Sequence, residues 1–338
     1  MPDDATSDWA EVLATFEPPV LILSTAVGRG MYSLGEAVRE RFAAPDQVHH
    51  IAVEERLPAG AVAEDLKRYR FLSTRLTPLL YLVYTCPLFY YRKLARERWF
   101  HAADLSALEA TIGALGIRTV LCISHRAAFW ASSLKWRRSL DVALWDLLGE
   151  YGNNLGYRFL FWEAIDGFLS PLARSALRLR LPDHVRFMKV ALPARRAFVE
   201  LAATAGDRRT VLLVSGYWGQ GPLAAVLRGL RQTVAHLTVH VVCGDDRRQR
   251  ERVRRVAGDG ADVRIHGAVD SLAPLMAQCG SVITKPGIST LVEAHAARRK
   301  IFLLRGMPVA EANNARFAVQ HFDATWYTPA RWREWCER

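Results

Sequence analysis

A chain of 338 residues is long for a single hydrophobic core, and with 51% hydrophobic and 23% charged residues it reads as a well-packed globular protein of two domains rather than a disordered one. Five cysteines, at positions 86, 122, 243, 279 and 336, are odd in number and widely scattered, which excludes a zinc site and indicates a reducing cytoplasm; the acidic start Met1-Pro2-Asp3-Asp4 carries no secretory signal. A formal net charge of +11 favours anionic partners: nucleic acid, nucleotides or an anionic membrane surface.

In chain order, the first predicted strand is Val20 to Thr25. It runs into the turn Ala26-Val27-Gly28-Arg29-Gly30, and Ser33 to Phe42 then reads as a helix. The G-x-G-x-x-G spacing is not completed, because Gly35 falls five residues after Gly30, so a dinucleotide fingerprint is not expected. Further strands follow at Val48 to Glu54, Thr119 to Ser124, Tyr157 to Phe161 and Phe187 to Leu192, with helical patterns between them. After the polar stretch Gly206-Asp207-Arg208-Arg209 a second series begins, with strands at Val211 to Ser215, Val239 to Cys243, Val263 to His266, Val282 to Thr284 and Ile301 to Leu304. The alternation predicts an α/β protein of parallel sheets built from βαβ units, with the boundary between residues 193 and 209.

Between the second and third strands lies an unusual segment. From Leu76 to Tyr91 the chain carries no charge, while Lys67, Arg68, Arg70 and Arg75 precede it and Arg92, Lys93, Arg96 and Arg98 follow it. Its 16 residues include two prolines, whereas a spanning helix needs about 20 apolar residues, so a transmembrane reading fails. An interfacial segment, with tyrosines at headgroup depth and cations on lipid phosphates, fits better. A buried helical hairpin with solvated arginines is the competing account. Nucleic acid is not expected, because the aromatics are not interleaved with the cations as a stacking platform requires.

The stretch Val282-Ile283-Thr284-Lys285-Pro286-Gly287-Ile288-Ser289-Thr290-Leu291-Val292-Glu293-Ala294 carries the most chemistry. A strand stops at Pro-Gly and a Ser-Thr pair opens a helix, so free N–H groups and two hydroxyls converge where an anion would sit. Glu293, one turn after Ser289, is on the same helix face and suited to a ribose diol. Together they suggest a nucleotide. A second glycine turn, Ser215-Gly216-Tyr217-Trp218-Gly219-Gln220-Gly221-Pro222, follows the first strand of the second half just as Gly28 and Gly30 follow that of the first. Ligands of open α/β sheets bind at strand carboxyl ends, so the two turns are expected to face each other across an interdomain cleft.

These residues resemble the family of MurG and monogalactosyldiacylglycerol synthase, inverting glycosyltransferases of the GT-B fold, over about residues 18 to 328. Val241 to Asp246 is similar to the family's V-V-C-G-[RK]-N, and Gly267 to Leu272 to its G-[FY]-V-x-N-[ML]. Ile283 to Ala294 is similar to I-T-K-x-G-[PG]-x-T-x-x-E-A. Ser24 to Val38 and Lys189 to Phe198 resemble two elements of the first half. The Leu66 to Arg98 segment occupies the place of the membrane-contacting, acceptor-binding region of lipid-glycosylating members.

The resemblance implies two Rossmann-like domains: an acceptor-binding one over 1–195, a nucleotide-sugar-binding one over 208–328, and a helix over 329–338. It implies sugar transfer from a UDP-type donor to a hydrophobic acceptor, lipid or small molecule. UDP-sugar is a co-substrate, with no cofactor and no metal; no D-x-D motif occurs. Backbone around Ala268 and Val269 would read the base, Glu293 the ribose, and Gly287, Ser289 and Thr290 the diphosphate, with Gly219 and Gly221 opposite. The family's sugar-reading P-G-Q-E-x-x-N is Pro308-Val309-Ala310-Glu311-Ala312-Asn313-Asn314 here, which loses the glutamine and keeps Glu311 and Asn314.

The family's histidine after G-x-G, the general base, is Met31, and a thioether takes no proton. Glu163, read as lying at the end of the strand Tyr157 to Phe161, is the first candidate replacement and His125 the second. An acceptor that needs little base assistance, nucleotide-sugar hydrolysis, and nucleotide-sugar binding without transfer are the open alternatives. The expected location is cytoplasmic, peripheral on the inner face of the membrane.

Overall fold

The buried apolar runs assemble into two sheets in which every described pairing is parallel. The computed structural model describes residues 5–26, 29–76, 79, 82, 86, 88, 104–152, 155–219, 221–234, 236–258, 262–306 and 310–337. The chain divides into two units, Met1–Pro193 and Ala194–Arg338.

The first unit runs β1 (Thr6–Ser7), α1 (Trp9–Leu13), β2 (Val20–Ser24), α2 (Gly30–Arg39), β3 (Val48–Ala52), α3 (Ala59–Arg75), α4 (Ser106–Ala114), β4 (Thr119–Cys122), α5 (His125–Arg138), β5 (Ala143–Leu147), β6 (Gly167–Ser170) and β7 (Arg186–Val190). Its sheet order is β1-β7-β6-β5-β4-β2-β3. Val20, Leu21, Ile22 and Leu23 of β2 have no exposed surface, because the strand is covered on both faces as interior strands of parallel sheets are. The strand order turns back between β2 and β4, which makes the carboxyl edge there a topological switch point.

Two features of this unit correct the sequence reading. Tyr157 to Phe161 is not a strand: Leu155–Phe159 is a 3-10 turn whose Tyr157 meets Phe168 of the sheet edge-on at 5.9 Å, beside Trp162 at 5.7 Å from the same ring. The strands in its place are β5 and β6. They escape sequence reading because β5 carries Asp146 and β6 opens with a glycine, both poor strand formers. Gly167 is glycine for a packing reason, since a Cβ there would lie 2.1 Å from the Trp145 ring.

The second unit runs α6 (Arg196–Glu200), β8 (Asp207–Val214), α7 (Leu223–Thr233), β9 (Thr238–Val242), α8 (Arg247–Ala257), β10 (Val263–His266), α9 (Ala273–Met276), β11 (Cys279–Thr284), α10 (Ile288–Ala296), β12 (Lys300–Leu303), α11 (Ala310–His321), β13 (Thr325–Trp326) and α12 (Pro329–Glu337). Its sheet order β10-β9-β8-β11-β12-β13 is the doubly wound 3-2-1-4-5-6 order, with the switch point between β8 and β11. Phe198 of α6 is buried in the core beside β11 and α10. Trp332 of α12 is fully buried and meets Phe302 of β12 edge-on at 5.2 Å. Phe198 and Trp332 therefore anchor α6 and the C-terminal helix to the core of this unit.

Candidate functional site

At the β8/β11 switch point the loop after β8 is locked by glycines. After β8, Gly219 N–H donates to Gly216 O at 3.1 Å, and Gly216, Gly219 and Gly221 have φ of 77°, 68° and 123°. These are left-handed values that favour glycine. A Cβ on Gly219 would lie 2.4 Å from that of Asp246, and one on Gly244 2.2 Å from Tyr217 O, so the turns after β8 and β9 interlock through backbone. Asp245 N–H donates to Tyr217 O at 2.7 Å and Gln249 Nε2 to Gly221 O at 2.6 Å.

On the other side of the switch point, Lys285, Pro286 and Gly287 lead from β11 into α10. Gly287 is the N-cap at φ −71° and ψ 130°, a conformation open to any residue, and a Cβ on it would meet nothing within 4 Å. Neither backbone nor packing explains this glycine. A helix N-terminus with an open approach binds anions, and Ser289 and Thr290 stand half-buried in its first turn. Glu293 follows on the same helix, buried, and Arg195 donates to its Oε1 from Nε at 2.9 Å and Nη2 at 2.8 Å. Lys285 Nζ donates to Glu311 Oε1, and Asn314 Nδ2 donates to Pro286 O at 3.2 Å. Ala268 is exposed after β10, and Val269 packs partly on the core. Thus Gly216, Gly219, Gly221, Gly287, Ser289, Thr290, Glu293, Glu311 and Asn314 border one carboxyl edge. Pro308 and Val309 lie outside the described residues.

In the first unit Gly28 also lies outside the described residues, and Gly30 opens α2. His125 is the first residue of α5, directly after β4 at the switch point, with its ring centroid 5.6 Å from that of Tyr157. Ser124 caps this helix, its Oγ accepting from Ala127 N–H at 3.2 Å. Glu163 is elsewhere. It is exposed in the 3-10 turn Trp162–Ala164, which leads into the amino end of β6, opposite to the strand end the sequence reading gave it. The strand on which that expectation rested does not exist.

Sequence reasoning missed Glu54. It accepts at Oε2 from Ala26 N–H at 2.9 Å, and Arg126 Nε lies 3.2 Å from Oε1, so a buried carboxylate joins the loops after β2, β3 and β4. Its signal was available: it closes the run Val48 to Glu54 at the end where ligands gather. Met31 packs its sulfur against Gly149, where a Cβ would lie 2.7 Å from Sδ. Below the edge, His50 Nδ1 donates to Glu36 Oε1 at 2.5 Å, and Nε2 accepts from the Ser24 hydroxyl at 2.9 Å. The chain has triad order, but Ser24 is fully buried and opens to no ligand, so it fastens α2 to the sheet. Asp146 is also fully buried, and burial raises its carboxyl well above the usual range.

Two parallel Rossmann-like sheets, each with its loops gathered at a switch point, define a GT-B protein. Comparison with known proteins agrees. Over 112 residues the chain is 30% identical to the processive diacylglycerol beta-glucosyltransferase of Bacillus mycoides (strain KBAB4), covering 33% of this chain and 29% of that one. Over 148 residues it is 26% identical to the probable chloroplastic monogalactosyldiacylglycerol synthase of Glycine max, covering 42% and 28%. These matches span less than a third of either relative's length. No protein-family profile matches the chain. Among solved structures, MurG of Acinetobacter baumannii superposes with a TM-score of 0.52 at 11% identity, covering 93% of this chain and 88% of that one. The UDP complex of S. aureus MnaA gives 0.53 at 13% identity, covering 94% and 86%. The chain is a GT-B protein similar to MurG and monogalactosyldiacylglycerol synthase.

Proposed function

We propose that this protein is a glycosyltransferase that moves a sugar from a UDP-type donor to a hydrophobic acceptor, with a diacylglycerol-like lipid as the favoured class. One observation carries the donor half of the reading: Gly287 is glycine at a helix N-terminus where neither its φ nor any neighbour requires it. An approaching diphosphate would require it, since a methyl group there would stand between ligand and N–H donors. Ser289 and Thr290 would add hydroxyl donors, Glu293 would take the ribose diol, and backbone around Ala268 and Val269 the base. The partial identity to two diacylglycerol-glycosylating proteins supports the acceptor class.

In this reading the acceptor hydroxyl attacks the anomeric carbon in one displacement with inversion, and UDP leaves against the N-terminus of α10. His125, at the switch point of the first unit, takes the acceptor proton; Glu163 is set aside because of its place before β6. Glu54 and Arg126 hold the loop that carries Ala26 beside it. A UDP-sugar binder without transfer is the second reading, favoured by Met31, whose sulfur is packed against Gly149 where the family carries its base.

The test is calorimetric titration with UDP and a panel of UDP-sugars, followed by transfer to diacylglycerol in mixed micelles. Saturable UDP binding with transfer, and a loss of kcat of at least 100-fold in His125→Asn at unchanged UDP affinity, supports the first reading. UDP-sugar binding without turnover on any acceptor supports the second. No nucleotide binding overturns both.

A further inference from the structure

Lys285 is the cation of the motif that no role yet uses, and its surroundings are built around it. Its stem crosses the switch point and runs close over the turn after β8, where a Cβ on Gly216 would lie 2.7 Å from Lys285 Cε. At the far end Nζ donates to Glu311 Oε1, on the first turn of α11. A second glycine makes room there, since a Cβ on Gly306 would lie 2.4 Å from Glu311 Oε2 and 2.6 Å from Pro286 Cδ. One turn along α11, Asn314 ties the same loop by donating to Pro286 O. Loops after β8, β11 and β12 thus converge on one ion pair whose side chains are only 17% and 8% exposed.

A pair this buried is a poor device for stability, because the desolvation of both charges offsets most of their attraction. At a ligand-bearing edge it does something an apolar pair cannot. It holds a carboxylate in one orientation, as an acceptor for hydroxyl donors. Resting on the nucleotide-sugar reading, we propose that Lys285 is the positioning residue of the donor site, fixing Glu311 so that it reads hydroxyls of a neutral sugar. The glutamine that sequence comparison leads one to expect beside Glu311 is Ala310, so the lysine-held carboxylate carries the sugar recognition that remains.

The experiment is titration of the full chain with UDP and with UDP-glucose, UDP-galactose and UDP-N-acetylglucosamine, using wild type, Lys285→Met, Lys285→Arg, Glu311→Gln and the Lys285→Met/Glu311→Gln double variant. Thermal melting of each variant verifies folding. In wild type the preferred sugar nucleotide is expected to bind at least tenfold tighter than UDP. Lys285→Met is expected to remove that increment while changing UDP affinity by less than threefold. Lys285→Arg, which keeps the cation, recovers most of it, and the double variant is no worse than Glu311→Gln alone. Equal losses for UDP and UDP-sugar would make Lys285 a phosphate ligand and overturn the proposal. So would no loss in either, or a wild type that gains nothing from any of the three sugars. Should Lys285→Met fail to fold, Glu311→Gln and Lys285→Arg decide by the same comparison. Absence of UDP binding in wild type refutes the nucleotide reading itself, and the inference with it.

Discussion

Arg195 places both Nε and Nη2 on a single oxygen of Glu293, so the carboxylate assigned to the ribose is held by a residue just before α6. The Arg195 guanidinium also lies over the Phe198 ring at 5.0 Å, which fixes its direction. Glu293→Ala strands a largely buried cation and is expected to destabilise the second unit by about 3 kcal/mol. The Arg195→Met/Glu293→Ala double variant is expected to lose less than the sum of the single losses. Urea denaturation of the four proteins measures this; additive losses would refute the coupling.

Gly287→Ala separates fold from ligand. With φ −71° and no atom within 4 Å of the new methyl, stability is expected to stay within about 0.5 kcal/mol of wild type. UDP affinity is expected to fall at least tenfold. Gly244→Ala is the contrast: at φ 61° and 2.2 Å from Tyr217 O it distorts the adjoining turn, and stability and affinity should fall together.

The His50 hydrogen bond, aided by Arg39, holds the Glu36 carboxyl down to about 2 from its ordinary 4.5. The folded value lies below the unfolded one, so this stabilisation is complete above pH 4.5 and is lost as pH falls toward 2. Denaturant midpoints measured from pH 6 to 3 should drop more steeply in wild type than in Glu36→Gln. Equal slopes would show that the pair contributes nothing.

His240 and His266 stack at 5.4 Å with Nδ1 and Nε2 3.2 Å apart, and burial, followed by neighbouring positive charge, lowers both below 6.5. Here the neutral form is the folded one. Stability is therefore complete above pH 6.5 and declines as pH falls below it. His266→Gln should flatten the decline between pH 6.5 and 5, as followed by tryptophan fluorescence in urea.

Phe71 of α3 is 55% exposed, and Leu76, Leu79, Leu82 and Leu88 are 41%, 44%, 40% and 60% exposed, next to exposed Lys67, Arg68 and Arg70. Most of the remaining residues of the tyrosine-rich run lie outside the described residues. No helix among the described residues is long and apolar enough to cross a membrane. Cosedimentation with phosphatidylglycerol vesicles is expected, weakening several-fold between 0.1 and 0.5 M salt as the screening length shrinks from about 10 Å. Phe71→Ser should weaken it further at every salt concentration. Salt-independent binding would argue for an acceptor pocket instead of an anionic surface.

The second sheet was legible in the sequence because its strands are runs of Val, Ile and Leu that end at glycine turns, and its motif residues border one edge. The first sheet was less so. Asp146 inside β5 and Gly167 at the head of β6 are residues that local preference places outside strands, and only the neighbouring Cys122, Phe168 and Trp145 make them fit. The aromatic run after Gly156 has strand character by composition but serves as a cover. Glu163 inherited its place from that error, while Glu54 was read only as the end of a strand, its position there being visible but its pairing with Arg126 not. Long-range partners such as Arg195 for Glu293, 98 residues apart, have no local signature.

The burial of Phe198 and Trp332 determines how the second unit can be dissected. A fragment cut at Gly206 or Asp207, where composition suggests a linker, would discard Arg195 and an anchoring ring; one cut before Pro329 would remove Trp332 and uncover Phe302. The smallest piece worth expressing for donor-binding studies therefore runs from Ala194 through Glu337. Shorter versions that precipitate would report a breached core and carry no information about nucleotides.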